Sequence, residues 1–215
     1  MYPVTLNRGT LRVAAFQGFA PFAWKEGSEA RGRDIAFLQR FATSQNLALS
    51  VDFHDFDRLW ELPVDGRADI AASGISFMPE KRKSTVAWSA PYSEVRRTLL
   101  IRATDRARLR HMGDIKRLAV VACSAAHDHA KETLPASATL SYCDTLDRGI
   151  DDLLAGRVDA VGTGDVSARH HLTQRPGLAM LDVHDVRSPE YIAFAVRSPL
   201  LKSLNAFIAT HAGEY

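Results

Sequence analysis

Several features that mark particular classes of protein are scarce or missing in this chain of 215 residues. Two cysteines are too few for the disulfide-rich scaffold of a small secreted domain. No apolar run approaches the ~18 residues that a membrane-spanning helix needs. Lysine and arginine number 27 against 25 for aspartate and glutamate, so the formal net charge is only +2. That small excess is scattered, and we therefore expect no nucleic-acid partner.

The signatures of common enzyme sites are also missing. The chain contains no P-loop, no G-x-S-x-G elbow and no H-E-x-x-H helix. Among its histidines, His127 and His129 begin one predicted helix, and His170 and His171 lie on the next. Imidazoles at positions i and i+2 do not share a helical face. We therefore expect no metal, no cofactor and no catalytic group.

The cysteines and the N-terminus give information about the cellular compartment of the protein. Cys123 and Cys143 end apolar, strand-like stretches, and we interpret them as two buried thiols. A disulfide in an oxidising compartment is the alternative, and it needs Cα atoms within ~7 Å. No basic-then-apolar leader is present. The composition therefore fits either a cytoplasmic protein or a secreted one whose leader was removed.

Short β-rich runs alternate with amphipathic stretches of helical length, and the alternation occurs twice. In the first run the strand at Leu11–Phe16 precedes a helix at Asp34–Gln45. The second run starts at the strand Leu118–Cys123. Two successive β-α-β-α runs predict two α/β lobes with mainly parallel sheets. Ligands of such sheets lie beyond the carboxyl ends of the strands, near helix N-termini.

The most specific strand end reads Ser-Gly-Ile-Ser from Ser73, and it leads through Pro79 to Arg82. The backbone N–H groups at Ser73 and Gly74 and the hydroxyls of Ser73 and Ser76 can face a ligand. Arg82 offers a planar fork that fits a carboxylate. On spacing alone, a solvated arginine on a helix surface is an equal alternative.

Two further strand ends carry candidate residues. The loop from Phe16 to Trp24 is rich in aromatic residues, and we expect Phe22 or Trp24 to face the ligand while others fill the core. In the stretch from Gly156, Thr163 ends a strand and Asp165 follows it. Asp165 can accept hydrogen bonds from a ligand ammonium, or it can cap the following helix.

The order of these segments resembles the solute-binding proteins of family 3, the amino-acid-binding class. The matching pieces are LRVAAFQGFAPFAW, GRDIAFLQRFA, DGRADIAASGIS, PEKRKSTVAWSAPY and AGRVDAVGTGD. Within that class the chain is similar to the periplasmic cyclohexadienyl dehydratases. The resemblance implies that Arg82 clamps a ligand carboxylate and that Ser73, Gly74 and Ser76 line the site. It also implies that Phe56 lies where the family usually has a pocket tryptophan or other aromatic residue.

The chain departs from the dehydratases at two places. Their Asn-Pro-Gly-Gly-Thr-Asn-Glu loop is replaced by Ala-Cys-Ser-Ala-Ala-His-Asp, which begins at Ala122. Their catalytic glutamate aligns with Ser167, whose hydroxyl cannot act as a tuned general acid. We therefore expect a binding protein more than an enzyme. The chain also departs from ordinary amino-acid binders, because their acidic residue two positions after Asp34 is Ala36 here. Their ammonium-recognition pattern is therefore incomplete unless Asp165 or Asp128 substitutes.

The resemblance predicts a type II periplasmic-binding-protein fold with a ligand cleft between two lobes. Lobe one spans 1–93 plus 198–215 and lobe two spans 94–197, with hinges near 92–96 and 194–199. Arg82 anchors the carboxylate in lobe one, and lobe two contributes Ser124, Ala125, Thr163 and Asp165. Such a protein is periplasmic and monomeric, and it hands a small carboxylate or amino acid to a transporter permease or a receptor.

Two alternatives remain open at this stage. A prephenate or arogenate dehydratase would need Asp165 or Asp128 as its proton donor. An interaction module that has lost ligand binding would need neither. Which carboxylate is bound stays undetermined.

Overall fold

The computed structural model describes residues 5–78, 86–182, 190–211, 213 and 215. The chain forms two compact units, of which unit 1 comprises Met1–Glu94 with Tyr191–Tyr215 and unit 2 comprises Val95–Glu190. The sequence predicts a return to the first lobe at residue 198, with a hinge near 194–199. Residues 195–196 belong to unit 1 because they pair with strands of its sheet. Arg82 lies outside the described residues.

Unit 1 is built from short strands and two helices. Its N-terminal elements are β1 (Thr10–Ala15), β2 (Trp24–Glu26), β3 (Glu29–Arg31), α1 (Arg33–Ser44), β4 (Ala48–Phe53), a 3-10 turn (Leu59–Glu61), β5 (Ile70–Ala71) and β6 (Ala87–Trp88). The chain leaves through β7 (Ser93–Val95).

Unit 2 repeats the alternation of strands and helices. Its elements are β8 (Arg97–Arg102), 3-10 turns (Ala103–Asp105 and Met112–Asp114), β9 (Arg117–Val121), α2 (Ala125–Thr133), β10 (Thr139–Cys143), α3 (Leu146–Leu154), β11 (Ala160–Gly164), α4 (Asp165–Gln174) and β12 (Leu178–Asp182). The chain returns through β13 (Glu190–Ile192), which pairs with β7, and ends with β14 (Ala195–Val196) and α5 (Ser198–His211) in unit 1.

Each unit has one five-stranded sheet. The strand orders are β4-β1-β5-β14-β6 and β10-β9-β11-β8-β12. In each sheet the strands joined through helices are parallel, while β14 and β8 are antiparallel to both of their neighbours. Four of the five strands in each sheet therefore run in one direction, as the sequence predicts for mainly parallel sheets. Strands β8 and β14 are antiparallel to their neighbours because neither strand follows a β-α-β crossover. That connection is the one that makes neighbouring strands parallel.

The same four-residue pattern, Gly-Arg-x-Asp, precedes the central strand of both sheets. In unit 1 the carboxylate of Asp69 accepts the backbone N–H of Arg12 at 2.9 Å. In unit 2 the carboxylate of Asp159 accepts the backbone N–H of Arg117, also at 2.9 Å. Each buried aspartate thus satisfies a donor at the start of a neighbouring strand, which fixes the strand register.

The helices cover these sheets with the apolar faces that the sequence predicts. In α1, Leu38 and Phe41 recur at a spacing of three and are fully buried. Phe207 of α5 packs edge-on against Phe41, with ring centroids 5.5 Å apart. Across the part of the chain that is described, no helix is long and apolar enough to cross a membrane.

Candidate functional site

The end of β5 carries the most specific sequence signal, and its backbone is unusual. Ser73 has φ of 103° and Gly74 has φ of 61°. Side chains with a Cβ rarely adopt this region. A non-glycine residue held there needs fixed partners around it. Those partners come from α1.

The carboxylate of Asp34, in the first turn of α1, fixes this strand end. Its Oδ2 atom accepts the backbone N–H of Ser73 at 2.7 Å and that of Gly74 at 2.8 Å. Its Oδ1 atom accepts the hydroxyls of Tyr92, at 2.9 Å, and Tyr215. Four donors therefore converge on one fully buried acid. We call Asp34, Tyr92 and Tyr215 the Asp34 cluster.

Burial dominates the ionisation of this cluster. It raises the pKa of Asp34, and the hydrogen bonds from Tyr215, Gly74, Ser73 and Tyr92 oppose that rise. Burial, followed by the charge of Asp34, also raises the pKa of both tyrosines. Both tyrosines consequently remain protonated and keep donating to the carboxylate.

The side chain of Ser73 also makes hydrogen bonds within unit 1. Its Oγ atom accepts the backbone N–H of Phe16 at 2.8 Å and donates to the Phe16 carbonyl at 3.1 Å. The sequence prediction had given the N–H groups of Ser73 and Gly74 and this hydroxyl to a ligand. In this structure these groups bond to Asp34 and Phe16, and a ligand contact at Ser73 or Gly74 stays a prediction.

The predicted residues Gly74, Phe22 and Ser76 lie around the same strand end. The Phe22 ring is buried directly against Gly74: a Cβ built on Gly74 would lie 2.6 Å from Phe22 Cδ2. Ser76 is buried and forms an isolated bridge with Ile192. The buried Phe22 ring thus packs against the turn.

The aromatic residues of the loop after β1 form a buried cluster. Phe19 packs edge-on against Phe56, with centroids 4.9 Å apart, and Phe16 lies 5.4 Å from the same ring. Phe56 also packs against Trp60 at 6.0 Å. Trp24 is half-buried in the hairpin formed by β2 and β3. Phe16 and Phe19 thus fill the core of unit 1, as the sequence predicts for some aromatic residues of this loop. Phe56, which the resemblance predicts at the pocket, is buried among them, and its pocket role stays a prediction.

In unit 2, Ser124 is the N-cap of α2. Its hydroxyl accepts the backbone N–H of His127 at 3.2 Å and donates to the Val121 carbonyl at 2.7 Å. Ala125 and Ala126 hold the first two helical positions, where backbone N–H groups have no acceptor within the helix. The predicted pair Ser124 and Ala125 therefore lies at a helix end with orphan donors.

Thr163 and Asp165 lie where β11 ends and α4 begins. Thr163 is buried and pairs with Thr98 of β8. Asp165 is the first residue of α4, with Gly164 as N-cap, so it is not the capping residue. Its carboxylate accepts the Arg96 backbone N–H at 2.9 Å and pairs with the Arg169 guanidinium.

Asp165 stays ionised in this setting. Partial burial raises its pKa, but the hydrogen bonds from the Arg96 backbone and from Arg169 outweigh burial and hold the pKa below its usual value. A ligand ammonium at Asp165 would have to share or replace these partners.

The two cysteines differ in burial. Cys143 is buried, and burial raises the pKa of its thiol to about 11. Cys123 is exposed, with φ of 58°, immediately before the N-cap of α2. Both thiols are free. The interpretation as two buried thiols is therefore right for Cys143 and wrong for Cys123, because the strand ends at Val121 and leaves Cys123 in the turn.

Comparison with known proteins agrees with this architecture. The family of bacterial extracellular solute-binding proteins, family 3, matches residues 11–212. The chain belongs to this family. Its fold is the type II periplasmic-binding-protein fold, and the function that the family shares is solute binding. Both expectations from the sequence are confirmed.

Individual relatives are similar over nearly the whole chain. The cyclohexadienyl dehydratase of Pseudomonas aeruginosa is 27% identical over 208 residues, which is 94% of this chain and 75% of that protein. The arginine-bound, truncated arginine-binding protein of T. maritima is 25% identical, with a TM-score of 0.85 over 95% of this chain and 97% of that one.

Two further structures have the same fold. The amino acid transporter substrate-binding protein AbpA of Streptococcus pneumoniae, bound to L-arginine, is 25% identical, with a TM-score of 0.87 over 96% of this chain and 90% of that one. An ancestral amino-acid-binding protein, a precursor of cyclohexadienyl dehydratase, has a TM-score of 0.88 at 24% identity and covers 96% of this chain and 91% of its own. The latter likeness shows the fold alone.

Sequence reasoning assigned no site role to two residues whose side chains hold strand-end or helix-start turns, Asp34 and His127. Asp34 lies 39 positions from Ser73, so no local pattern joins them. Its one signal is an acid in the first turn of a helix whose N-cap is a glycine, Gly32, which cannot cap with a side chain. His127 was noted only as one of a pair. Its position three residues after an N-cap serine is the signal that marks it.

Proposed function

We propose that this solute-binding protein takes a small carboxylate, either an amino acid or an analogue, and that Arg82 anchors the carboxylate. The observation that carries the proposal is the strand-end turn at Ser73–Gly74, which the buried Asp34 carboxylate holds rigidly. The segment containing Arg82 follows this turn within ten residues. A turn held in one conformation positions its own backbone reproducibly, as a preorganised binding site requires.

Unit 2 supplies the second set of proposed contacts. The orphan N–H groups at the start of α2, next to Ser124 and Ala125, suit the negative charge of a carboxylate. Asp165, with its lowered pKa, suits a ligand ammonium. Thr163 is the penultimate residue of the strand that precedes Asp165. Among the remaining predicted residues, Ser76 and Trp24 also stay candidate ligand contacts.

L-Arginine is the first ligand to test, since two relatives at 25% identity are described as arginine-bound. The test is thermal unfolding of the purified protein with L-arginine, L-glutamine, other amino acids and prephenate. A ligand at a hundred times its dissociation constant adds about 2.7 kcal/mol of stability. We expect at least one amino acid to do so. A flat response to the whole panel would favour a module that has lost its ligand.

We further propose that the protein is not a dehydratase. A general acid must be protonated near the working pH, whereas the lowered pKa of Asp165 keeps it ionised. Ser167, at the aligned catalytic position, is buried and cannot replace a carboxylic acid. Incubation with prephenate should yield no aromatic product. Product formation that Asp165→Asn or Asp128→Asn abolishes would contradict this proposal.

The remaining proposal concerns the cellular location of the protein and the partner that it serves. The family is extracellular, and AbpA belongs to a transporter for amino acids. We propose a periplasmic, monomeric protein that serves a transporter permease or a receptor. Fractionation of cells that express the native gene, with immunodetection in the periplasmic fraction, tests the location. Recovery in the cytosol alone would contradict it.

A further inference from the structure

The start of α2 depends on a hydrogen bond to a buried imidazole. The backbone N–H of Cys123 donates to Nδ1 of His127 at 3.1 Å. Because Nδ1 accepts, it carries no proton, and the neutral ring must carry its proton on Nε2. Nε2 lies 3.2 Å from the Tyr142 hydroxyl, whose oxygen can accept that N–H. Both ring nitrogens are therefore satisfied in one tautomer of the neutral ring.

The protonated ring does not fit this arrangement. A proton on Nδ1 would face the Cys123 N–H, so that two donors would meet without an acceptor. His127 is the third residue of α2, where the helix dipole disfavours a positive charge. Burial and then the nearby Lys131 lower the pKa of His127, against a smaller opposing effect of Asp128. The group that faces it from β10 is the Tyr142 hydroxyl.

The turn that this hydrogen bond holds is otherwise unfavourable. Cys123 has a positive φ of 58°, which a residue with a Cβ adopts only when neighbours hold it. The known neighbours are the His127 ring and the N-cap Ser124, which itself accepts the His127 backbone N–H. Loss of the imidazole acceptor removes the contact that orients the Cys123 peptide.

We propose that neutral His127 is a positioning residue for solute binding. It holds the Cys123–Ser124 turn, and with it the donors at the start of α2, in the conformation that receives a carboxylate. Protonation of the ring releases the turn and weakens binding. The inference rests on the proposed function, which places Ser124 and Ala125 at the solute.

The binding test uses L-arginine, whose own groups keep their charges between about pH 5 and 7. We expect wild-type affinity, measured by calorimetry, to fall about fivefold or more over that range. His127→Asn keeps an acceptor oxygen near the position of Nδ1 but does not titrate. This variant should retain most of the binding at neutral pH and lose the pH dependence. His129→Asn, on the same helix, is the matched control and should keep the wild-type pH profile.

A second test needs no ligand. Amide hydrogen exchange of Cys123 is followed in the wild type over the same pH range, after correction for the intrinsic exchange rate. We expect its protection to fall on acidification and to remain constant in His127→Asn. Long-range ¹⁵N NMR of the imidazole should show the Nε2–H tautomer at neutral pH.

The outcomes separate this inference from the proposed function. If L-arginine fails to bind the wild type, the ligand proposal fails for arginine, and the exchange of the Cys123 amide alone decides the role of His127. Either an unchanged pH dependence of binding in His127→Asn, or Cys123 protection that does not respond to pH in the wild type, would overturn the inference.

Discussion

The Oδ2 atom of Asp34 lies 2.7 Å from the backbone nitrogen of Ser73. This contact joins the first turn of α1 to the end of β5 and fixes a strand end with positive φ. The other carboxylate oxygen of Asp34, Oδ1, accepts hydrogen bonds from the hydroxyls of Tyr92 and Tyr215. The Asp34 cluster therefore supports the proposed carboxylate site. Its removal should lower both the free energy of unfolding and the affinity for the ligand.

Asp34→Asn tests this foundation. The amide group brings donors to a place where four donors already converge, so at least one buried pair is lost at a cost of about 2 kcal/mol or more. Urea unfolding measures the change in the free energy of unfolding. Asp52→Asn is the control, because Asp52 is about half exposed and makes only a 3.7 Å pair with Arg12. Equal stability losses in the two variants would contradict the role of Asp34.

Tyr215→Phe removes a single donor from the Asp34 cluster while it keeps the ring. The phenyl group retains its packing against Tyr92, whose ring centroid is 4.7 Å away. We expect a loss of about 1 kcal/mol in the free energy of unfolding, the usual value for one hydrogen bond. Tyr191→Phe serves as the control, since Tyr191 is half exposed. A loss no larger than in that control would show that the hydroxyl contributes nothing.

Gly74→Ala separates steric overlap from backbone strain. At Gly74 the new Cβ meets Phe22 at 2.6 Å, and φ is also positive. Gly66 has a similar φ of 69° but open space around it, so Gly66→Ala reports strain alone. Thermal unfolding should show about 1 kcal/mol lost at Gly66 and about 1–3 kcal/mol more at Gly74. Similar losses at both glycines would mean that Phe22 does not brace the turn.

Asp159 makes the stability of unit 2 depend on pH, and the direction of its pKa shift gives the sign of that dependence. Although partial burial raises its pKa, the hydrogen bond and the charge of Arg117 outweigh this and hold the pKa below its ordinary value. A carboxyl with a lowered folded-state pKa stabilises above its unfolded pKa of about 3.9, and that stability is lost as the pH falls through the folded value.

Asp159→Asn should therefore lose about 1–3 kcal/mol near neutral pH and respond less to acid below about pH 4. Urea unfolding across this pH range measures both effects. Asp57→Asn, at an exposed position, should follow the wild-type curve. If Asp159→Asn loses stability in acid as steeply as the wild type, Asp159 is not the titrating group.

Local patterns predicted most of the elements, and long-range contacts explain the failures. The spacing of Leu38 and Phe41 marks α1 because one helix face must be buried. The hairpin of β2 and β3 was missed, since aromatic and charged residues around Trp24 show no alternation. Nothing near Ser73 in the sequence reveals that Phe16 and Asp34 bond to its groups. A site made by residues 39 or more positions apart leaves no local trace.

The central claim is tested most directly by calorimetric titration of L-arginine into the wild type, Arg82→Gln and Lys81→Gln. Losing a bidentate guanidinium–carboxylate pair should weaken binding by about a hundredfold. Lys81→Gln removes the same charge from the adjacent position and should change affinity about threefold or less. Wild-type affinity in Arg82→Gln, or a large loss in Lys81→Gln instead, would contradict the assignment of Arg82 as the carboxylate anchor.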